Sequence, residues 1–479
     1  MTRPAILTTM CAALLLAACG GGSDGGAPGG GTTPPTGGGD SEPPIGSGIG
    51  TPACTSLAQR EFVFDVMQDW YLFPELLPPG ATPNSASTPQ ALVDFLAAEA
   101  RRRGFDRFFS GVTTITSDQA FFGEGRFEGF GFGWREVSEP GGVVIRIAQV
   151  IPGSPAEQGG LARGQRIVSI NGQTIFSSAQ VSQALSTVAS GGQAQFTVVS
   201  PAGAEIEAEV TRGIVTTVPL VCRSCPEDGP PVLIFERENL PGVAYIDFRS
   251  FISPAAPVLN DIFAALRERN VTDLIVDVRY NGGGLVSVAK ELADLIGGRV
   301  ASGEVFAELV FNPARNPGIP SADRIDRFLT SSNSIVPSTV VFITTGQSAS
   351  ASELMVNGLQ PHVEVRIVGS PSFGKPVGQS GFSLRECDVL LRPVTFEVVN
   401  ALGEGGYFNG LPVDCVAEDD LLTPLGDPAE ASIDTALQLI NTGACPVGPV
   451  SEAPRTAAST APPEYASGAT HAARYLNVH

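Results

Sequence analysis

At 479 residues the chain has room for two or three domains, and with 43% hydrophobic and 16% charged residues much of it can bury a core. A formal charge of −20 argues against nucleic acid as a partner, because phosphates demand a basic surface; an acidic surface of this kind mainly keeps a protein soluble.

Residues 1–19 read as an export signal. Arg3 and the amino terminus supply a weakly positive start, Ala5 to Leu16 is mostly apolar, and the stretch is too short to span a bilayer. Leu16-Ala17-Ala18-Cys19 matches the bacterial lipoprotein signal, in which the cysteine is lipidated and becomes the new first residue. The expectation is a lipid anchor on the periplasmic side of a bacterial membrane. Residues 20–53, rich in Gly and Pro, predict a disordered tether. Residues 54–122 predict an N-terminal helical region, with apolar spacing in "LAQREFVFDVMQDWYLF" and in "STPQALVDFLAAEARRR", where Ser87 or Thr88 can cap and Pro89 suits the first turn.

Residues 123–213 change character. Short β-type runs (Val143–Val150, Arg166–Ile170) alternate with Gly, Pro and Asn turns, Ser178 to Ala189 predicts one helix, and "AQFTVVS" and "AEIEAEVTR" close as strands. The pattern, with Gly129-Phe130-Gly131-Phe132 ahead of "PGSPAEQGGLARGQRIVSINGQTI", resembles a PDZ domain. The resemblance implies that the Gly129–Phe132 loop receives a free peptide carboxylate while the peptide adds a strand at a sheet edge.

Residues 214–446 alternate strand and helix: "GVAYIDFRSF", "APVLNDIFAALRERN", "VTDLIVDVR", "LVSVAKELADLIGG", "STVVFITT", "SASELMVNGLQ", "VEVRIVG". This is the rhythm of a parallel or mixed sheet under covering helices, whose sites gather at the carboxyl ends of strands. The fold class expected overall is α/β (α+β) multidomain. Residues 447–479, polar and rich in Ala, Ser, Thr and Pro, predict a disordered tail.

Beyond Cys11 and Cys19 the chain holds six cysteines, Cys54, Cys222, Cys225, Cys387, Cys415 and Cys445. An even number outside the cytoplasm suggests disulfides, with Cys387–Cys415 a plausible bridge. Cys222-Arg-Ser-Cys225 could instead be half of a zinc site, but a second such pair or a paired His is missing. No metal and no cofactor is expected.

Two strand-to-helix junctions carry the chemistry. One is Asp277-Val278-Arg279-Tyr280-Asn281-Gly282-Gly283-Gly284, the other Gly346-Gln347-Ser348-Ala349-Ser350. Glycines let backbone N–H groups approach a reacting group, and helix starts add unpaired donors. A hydroxyl there needs a base. The chain has three histidines, of which His471 and His479 lie in the tail and His362 follows a helix it caps. Against 27 arginines it has two lysines, Lys290 and Lys375. Arginine cannot give up its proton near neutral pH, whereas a desolvated lysine can. Lys375, in "SPSFGKPVGQ", falls beyond a strand's carboxyl end; Lys290 sits mid-helix and pairs with Glu291 or solvent. Ser287-Val288-Ala289-Lys290 spells a β-lactamase acylation motif, but its companion motifs are absent.

Ser348-Ala349-Ser350-Ala351-Ser352-Glu353, Phe373-Gly374-Lys375 with Gln379, "DVRYNGGG" and the closing "GDPAEASIDTALQLI" together resemble the C-terminal processing (tail-specific) proteases, Ser-Lys peptidases of family S41 that carry a PDZ domain. The resemblance runs from about residue 61 to 441. It implies a ClpP/crotonase-like protease core, Ser350 as nucleophile, Lys375 as general base, Gln379 orienting that lysine, and the N–H groups of Gly283 and Ala351 as oxyanion donors. The expected substrates are exported polypeptides with free C-termini. Gly282 and Pro376 depart from the commoner residues of the family. The alternative is a catalytically silent, lipid-tethered PDZ protein that binds peptides, since fold alone does not imply activity.

Overall fold

The structure, a computed structural model, describes residues 54–446 apart from 227, 228 and 239. The signal segment with Cys19, the tether and the tail lie outside the described residues.

The N-terminal region opens with α1 (Ser56–Trp70), capped by Thr55, whose Oγ1 accepts from Ala58 N. In α2 (Pro89–Leu96) Thr88 Oγ1 accepts from Ala91 N, with Pro89 at the first helical position. The second helical run breaks at Ala97, and Ala98–Arg102 forms a separate turn. The buried faces of these helices (Val63, Met67, Tyr71, Leu92, Leu96) share one core with Val377, Phe382, Leu391 and Val394, so the region packs directly on residues that follow Lys375.

The next segment is a curled antiparallel sheet: β1 (Phe132–Glu139), β2 (Gly142–Val150), β3 (Arg166–Ile170), then α3 (Ser178–Ser186), β4 (Gln193–Val199) and β5 (Glu205–Thr211). The strand order is β1-β2-β3-β4-β5, with the short Gln173–Thr174 strand on β3. β1 thus lies at an edge, paired with β2 alone among the described strands. Phe130, Phe132 and Phe196 pack edge to face in the core of this unit.

The remaining chain builds the main sheet from β6 (Leu220–Val221), β7 (Leu233–Arg237), β8 (Leu240–Phe248), α4 (Ala255–Glu268), β9 (Asp273–Asp277) and α5 (Val286–Gly297). After β10 (Val305–Phe311) come β11 (Thr339–Thr344), α6 (Ala351–Leu359), β12 (Val365–Gly369), β13 (Val377–Gln379), β14 (Val394–Val399), β15 (Cys415–Val416) and α7 (Ala431–Thr442). The sheet order is β6-β8-β9-β11-β12-β15 with β7 also on β8. Strands β8, β9, β11, β12 and β15 run parallel. β9 reads Asp-Leu-Ile-Val-Asp and is buried throughout, as a parallel strand covered on both faces requires. α4 buries Leu259, Ile262, Phe263 and Leu266, at helical spacing, against it. At about 1.5–3 kcal/mol for each buried side chain, these four alone contribute about 6–12 kcal/mol. β10, β13 and β14 form a second, antiparallel sheet with the short strand Ile325–Arg327.

Three disulfides are formed: Cys54–Cys387, Cys222–Cys225 and Cys415–Cys445. The expected Cys387–Cys415 bridge is wrong. Cys387 sits in a turn between the strands Phe382–Leu384 and Val389–Arg392, whose sheet carries Gly111–Thr113 of the N-terminal region; Cys415 is on β15 of the main sheet. Cys222 and Cys225 bond to each other, which leaves neither thiolate for zinc. Lys290 pairs with Asp294 one turn on, at 2.6 Å, rather than with Glu291, which instead accepts from Asn260. His362 Nε2 reaches Val305 O at 2.8 Å.

Candidate active site

The sheet order decides where the chemistry lies. β9, β11 and β12 are parallel neighbours, in register Asp277↔Ile343 and Thr344↔Gly369. The three segments that leave their carboxyl ends, 278–285, 345–350 and 370–376, therefore emerge side by side.

The serine cluster then sorts itself. Ser348 and Ser352 are buried and tie the second loop to the first. Ser348 Oγ donates to Val278 O at 2.7 Å, and Ser352 Oγ donates to Asn281 O at 2.9 Å. Ser350, between them, is half-buried and takes φ 55°, ψ −115°. A non-glycine residue at such a φ is strained, by about 1–3 kcal/mol, and survives only where its surroundings over-determine it. A sharp, strained strand-to-helix turn is also what exposes the nucleophilic serine of the α/β-hydrolases.

Glu353 holds that turn. It is fully buried in the first turn of α6, and both oxygens are used. One accepts from Ser350 N (2.9 Å) and Lys375 N (2.8 Å), the other from Ser372 Oγ (2.6 Å) and Gly374 N (2.6 Å). Burial pushes its carboxyl pKa up; the four donors pull it back. One carboxylate thus fastens the strained serine to the lysine loop. The Ser-x-x-Glu spacing of a capping box was visible in the sequence, but nothing there said that the same carboxylate would reach Gly374 and Lys375.

Lys375 is 7% exposed, and burial lowers its amine to about pKa 8, against the opposing fields of Asp106 and Glu353. Its Nζ donates to Gln379 Oε1 at 2.8 Å. Gln379 Nε2 donates in turn to Phe109 O (2.7 Å) and Arg392 O (3.3 Å).

Gly283 lies against the serine. A Cβ there would stand 2.8 Å from Ser350 Cβ and 2.9 Å from Ala351 N, and its φ of 104° also favours glycine. Its own N–H is engaged, donating to Asn281 Oδ1 at 2.9 Å. Ala351 is the first residue of α6, where backbone N–H groups lack intrahelical partners. The first loop is anchored from behind. Arg279, fully buried, pairs with Asp277 (2.8 Å), Glu430 (2.8 Å) and Asp419 (3.3 Å). Asp419 also takes Arg163 and Arg135 from the β1–β5 unit. Burial would raise its carboxyl, but Arg279, Arg135 and Arg163 hold it well below the usual carboxylate range.

In the Gly129–Phe132 segment, Gly129 pairs with Gly213, while Phe130 and Phe132 turn their rings into the core. The carbonyls are held from inside: Gly131 O accepts from Ile151 N and Ser154 Oγ, Phe130 O from Ala156 N. At Gly131, φ 89°, an added Cβ would lie 2.3 Å from Ser154 Cβ. The segment leads straight into the β1 edge.

Residues 242–410 match the model of peptidase family S41. Residues 146–199 match a PDZ domain and residues 58–111 the peptidase S41 N-terminal domain. Among curated relatives, a carboxy-terminal processing protease of Bacillus subtilis is 25% identical over 255 residues, 53% of this chain and 48% of its own. A chloroplastic C-terminal processing peptidase of Tetradesmus obliquus is 29% identical over 247 residues, 49% of this chain and 48% of its own. The chain spans about half the length of these relatives. A solved structure from Bacteroides fragilis, described as a candidate S41 protease, superposes with a TM-score of 0.61 at 22% identity, covering 79% of this chain and 97% of that one. The fold is thus a mixed α/β multidomain assembly, with one segment similar to a PDZ domain and a core similar to peptidase family S41. Among the described residues no helix is long and apolar enough to cross a membrane.

Proposed function

We propose that the protein is a serine endopeptidase that cleaves exported polypeptides with a Ser350–Lys375 dyad, its PDZ unit capturing free C-termini at Gly129–Phe132 and the β1 edge. The supporting observation is the Glu353 clamp, which fastens a strained Ser350 and a buried Lys375 backbone to one carboxylate. A structural turn has no need of a serine at φ 55° beside a desolvated lysine.

In this reading neutral Lys375 takes the Ser350 hydroxyl proton as Oγ attacks the scissile carbonyl. Gln379 accepts one amine N–H and leaves the lone pair for the serine. The tetrahedral oxyanion is met by the N–H of Ala351 and by that of Gly283, which exchanges Asn281 Oδ1 for the oxyanion; each such donor is typically worth about 3 kcal/mol. Lys375, now protonated, gives the proton to the leaving amine, and water hydrolyses the acyl-enzyme. Cys19 would tether the enzyme by lipid to the periplasmic side of a bacterial membrane.

The test is turnover of unfolded casein by the full chain. Ser350→Ala and Lys375→Ala are expected to abolish it while circular dichroism stays unchanged. Lys375→Arg, which keeps a charge but cannot lose it, is expected to be equally inactive. Substantial activity in Lys375→Arg would overturn the general-base assignment; no difference between wild type and Ser350→Ala would leave a silent peptide-binding protein.

A further inference from the structure

The segment 105–110 of the N-terminal region does more than cover the core. Asp106 is fully buried, and its carboxylate folds the segment around itself. One oxygen accepts from Phe109 N (2.8 Å) and Ser110 N (3.1 Å), the other from Tyr71 Oη (2.9 Å) and Ser110 Oγ (2.6 Å). Burial and the neighbouring Asp106 push the Tyr71 hydroxyl up, so it stays a donor. Ser110 Oγ also accepts from Val394 N at 3.0 Å, which pins the segment to β14. Arg107 lies over the Phe373 ring, 4.3 Å from its centroid, and donates to the carbonyls of Phe373 and Gly374, just before the lysine.

Two groups of the segment then reach the dyad. The Phe109 carbonyl accepts from Gln379 Nε2, and the Phe109 ring lies beneath the Lys375 amine, 4.7 Å from centroid to Nζ. With Nε2 facing two carbonyls, those of Phe109 and Arg392, the reversed amide would set carbonyl against carbonyl. Gln379 must therefore present Oε1 to the lysine.

We infer that Asp106 and Phe109 are positioning residues for the peptidase site, setting the orientation of Gln379 and the dryness around the Lys375 amine. This rests on the reading of Ser350, Lys375 and Gln379 given above. The charged groups facing the amine are Asp106 and Arg107 from this segment, Glu353 from α6, and Arg392 from the strand Val389–Arg392. Removing the ring admits water, which favours the ammonium and outweighs the cation–π attraction lost with it, since burial is the largest influence on this amine; removing the Asp106 charge disfavours the ammonium. The two changes therefore act in opposite directions on one amine, which a generally loosened fold would not do.

The chain's two lysines make this directly readable. With [ε-13C]lysine in the full chain, NMR titration follows Lys375 with Lys290 as internal control. Phe109→Ala is expected to move the Lys375 midpoint up by about half a pH unit or more, and Asp106→Asn to move it down, with Lys290 unmoved. Phe109→Leu, which keeps the apolar cover, is expected to stay near wild type should either other variant fold poorly. Casein turnover by Phe109→Ala should fall about 10- to 100-fold, with the acid limb of its pH profile displaced upward. A Lys375 midpoint unchanged in Phe109→Ala, or moved the same way by both substitutions, overturns the inference. Opposite shifts in a chain whose wild type does not cleave casein would sustain the positioning and refute the peptidase reading instead.

Discussion

Replacing Glu353 by Gln removes one oxygen from a carboxylate that meets four donors, and the geometry fixes how the amide must turn. If the NH2 replaced the oxygen facing Ser350 N and Lys375 N, two backbone donors would confront it with no means of reversing. The better choice puts it opposite Ser372 Oγ and Gly374 N, where the hydroxyl can rotate and accept. One buried N–H, that of Gly374, then goes unsatisfied, at about 1–3 kcal/mol. The two bonds kept, to Ser350 and Lys375, fall from charge-assisted to neutral strength, at about 1 kcal/mol each. Relief from burying a charge, evident in the raised carboxyl pKa, offsets part of this. The expected net loss is about 2–4 kcal/mol, read as a lower urea midpoint at unchanged slope, with casein turnover lost as well. A loss under about 1 kcal/mol together with wild-type turnover would show that the carboxylate does not hold the two loops together.

Four further outcomes follow from the same structure. With Lys375 lowered to about pKa 8, kcat/KM should rise about tenfold per pH unit on the acid side and level off above about 8. The unfolded lysine keeps its proton to about pH 10.4, so the fold should also gain stability as pH rises between about 8 and 10, measured by urea unfolding across that range. Ser350→Gly should be inactive yet more stable than Ser350→Ala by about 1 kcal/mol, because glycine accepts φ 55° without strain; equal midpoints would deny the strain. Cys54→Ser/Cys387→Ser should cost about 2–5 kcal/mol in thermal or urea unfolding, since the bridge closes a loop across 333 positions.

Legibility in the sequence followed the range of the interaction. The parallel strands were plain because burial on both faces leaves near-continuous apolar runs, as in "DLIVD" and "TVVFIT", each followed within four residues by Asn or Gly. Thr88 and Pro89 marked a helix start because capping is local. What stayed hidden was pairing at a distance. Cys387 is 333 positions from its partner, Arg279 finds Glu430, 151 positions further on, and Asp106 builds its turn beside a lysine encoded much later. No periodicity carries such contacts. The antiparallel sheet of β10, β13 and β14 was missed for a related reason: β13 is three residues long, and its partner strand comes after an intervening hairpin.

The three serines of the second loop show why neighbours of one chemistry do different work. All three offer the same hydroxyl, and spacing alone does not rank them. Backbone geometry does. Ser348 and Ser352 face the first loop and donate to its carbonyls, so their hydroxyls stitch β9 to β11 at the end where both strands stop. Those bonds fix the turn between them, and a turn fixed at both ends can hold its middle residue at φ 55°. The strain at Ser350 is therefore sustained by its two sister serines and by Glu353, and loss of either outer hydroxyl would relax the turn without touching the Ser350 hydroxyl itself.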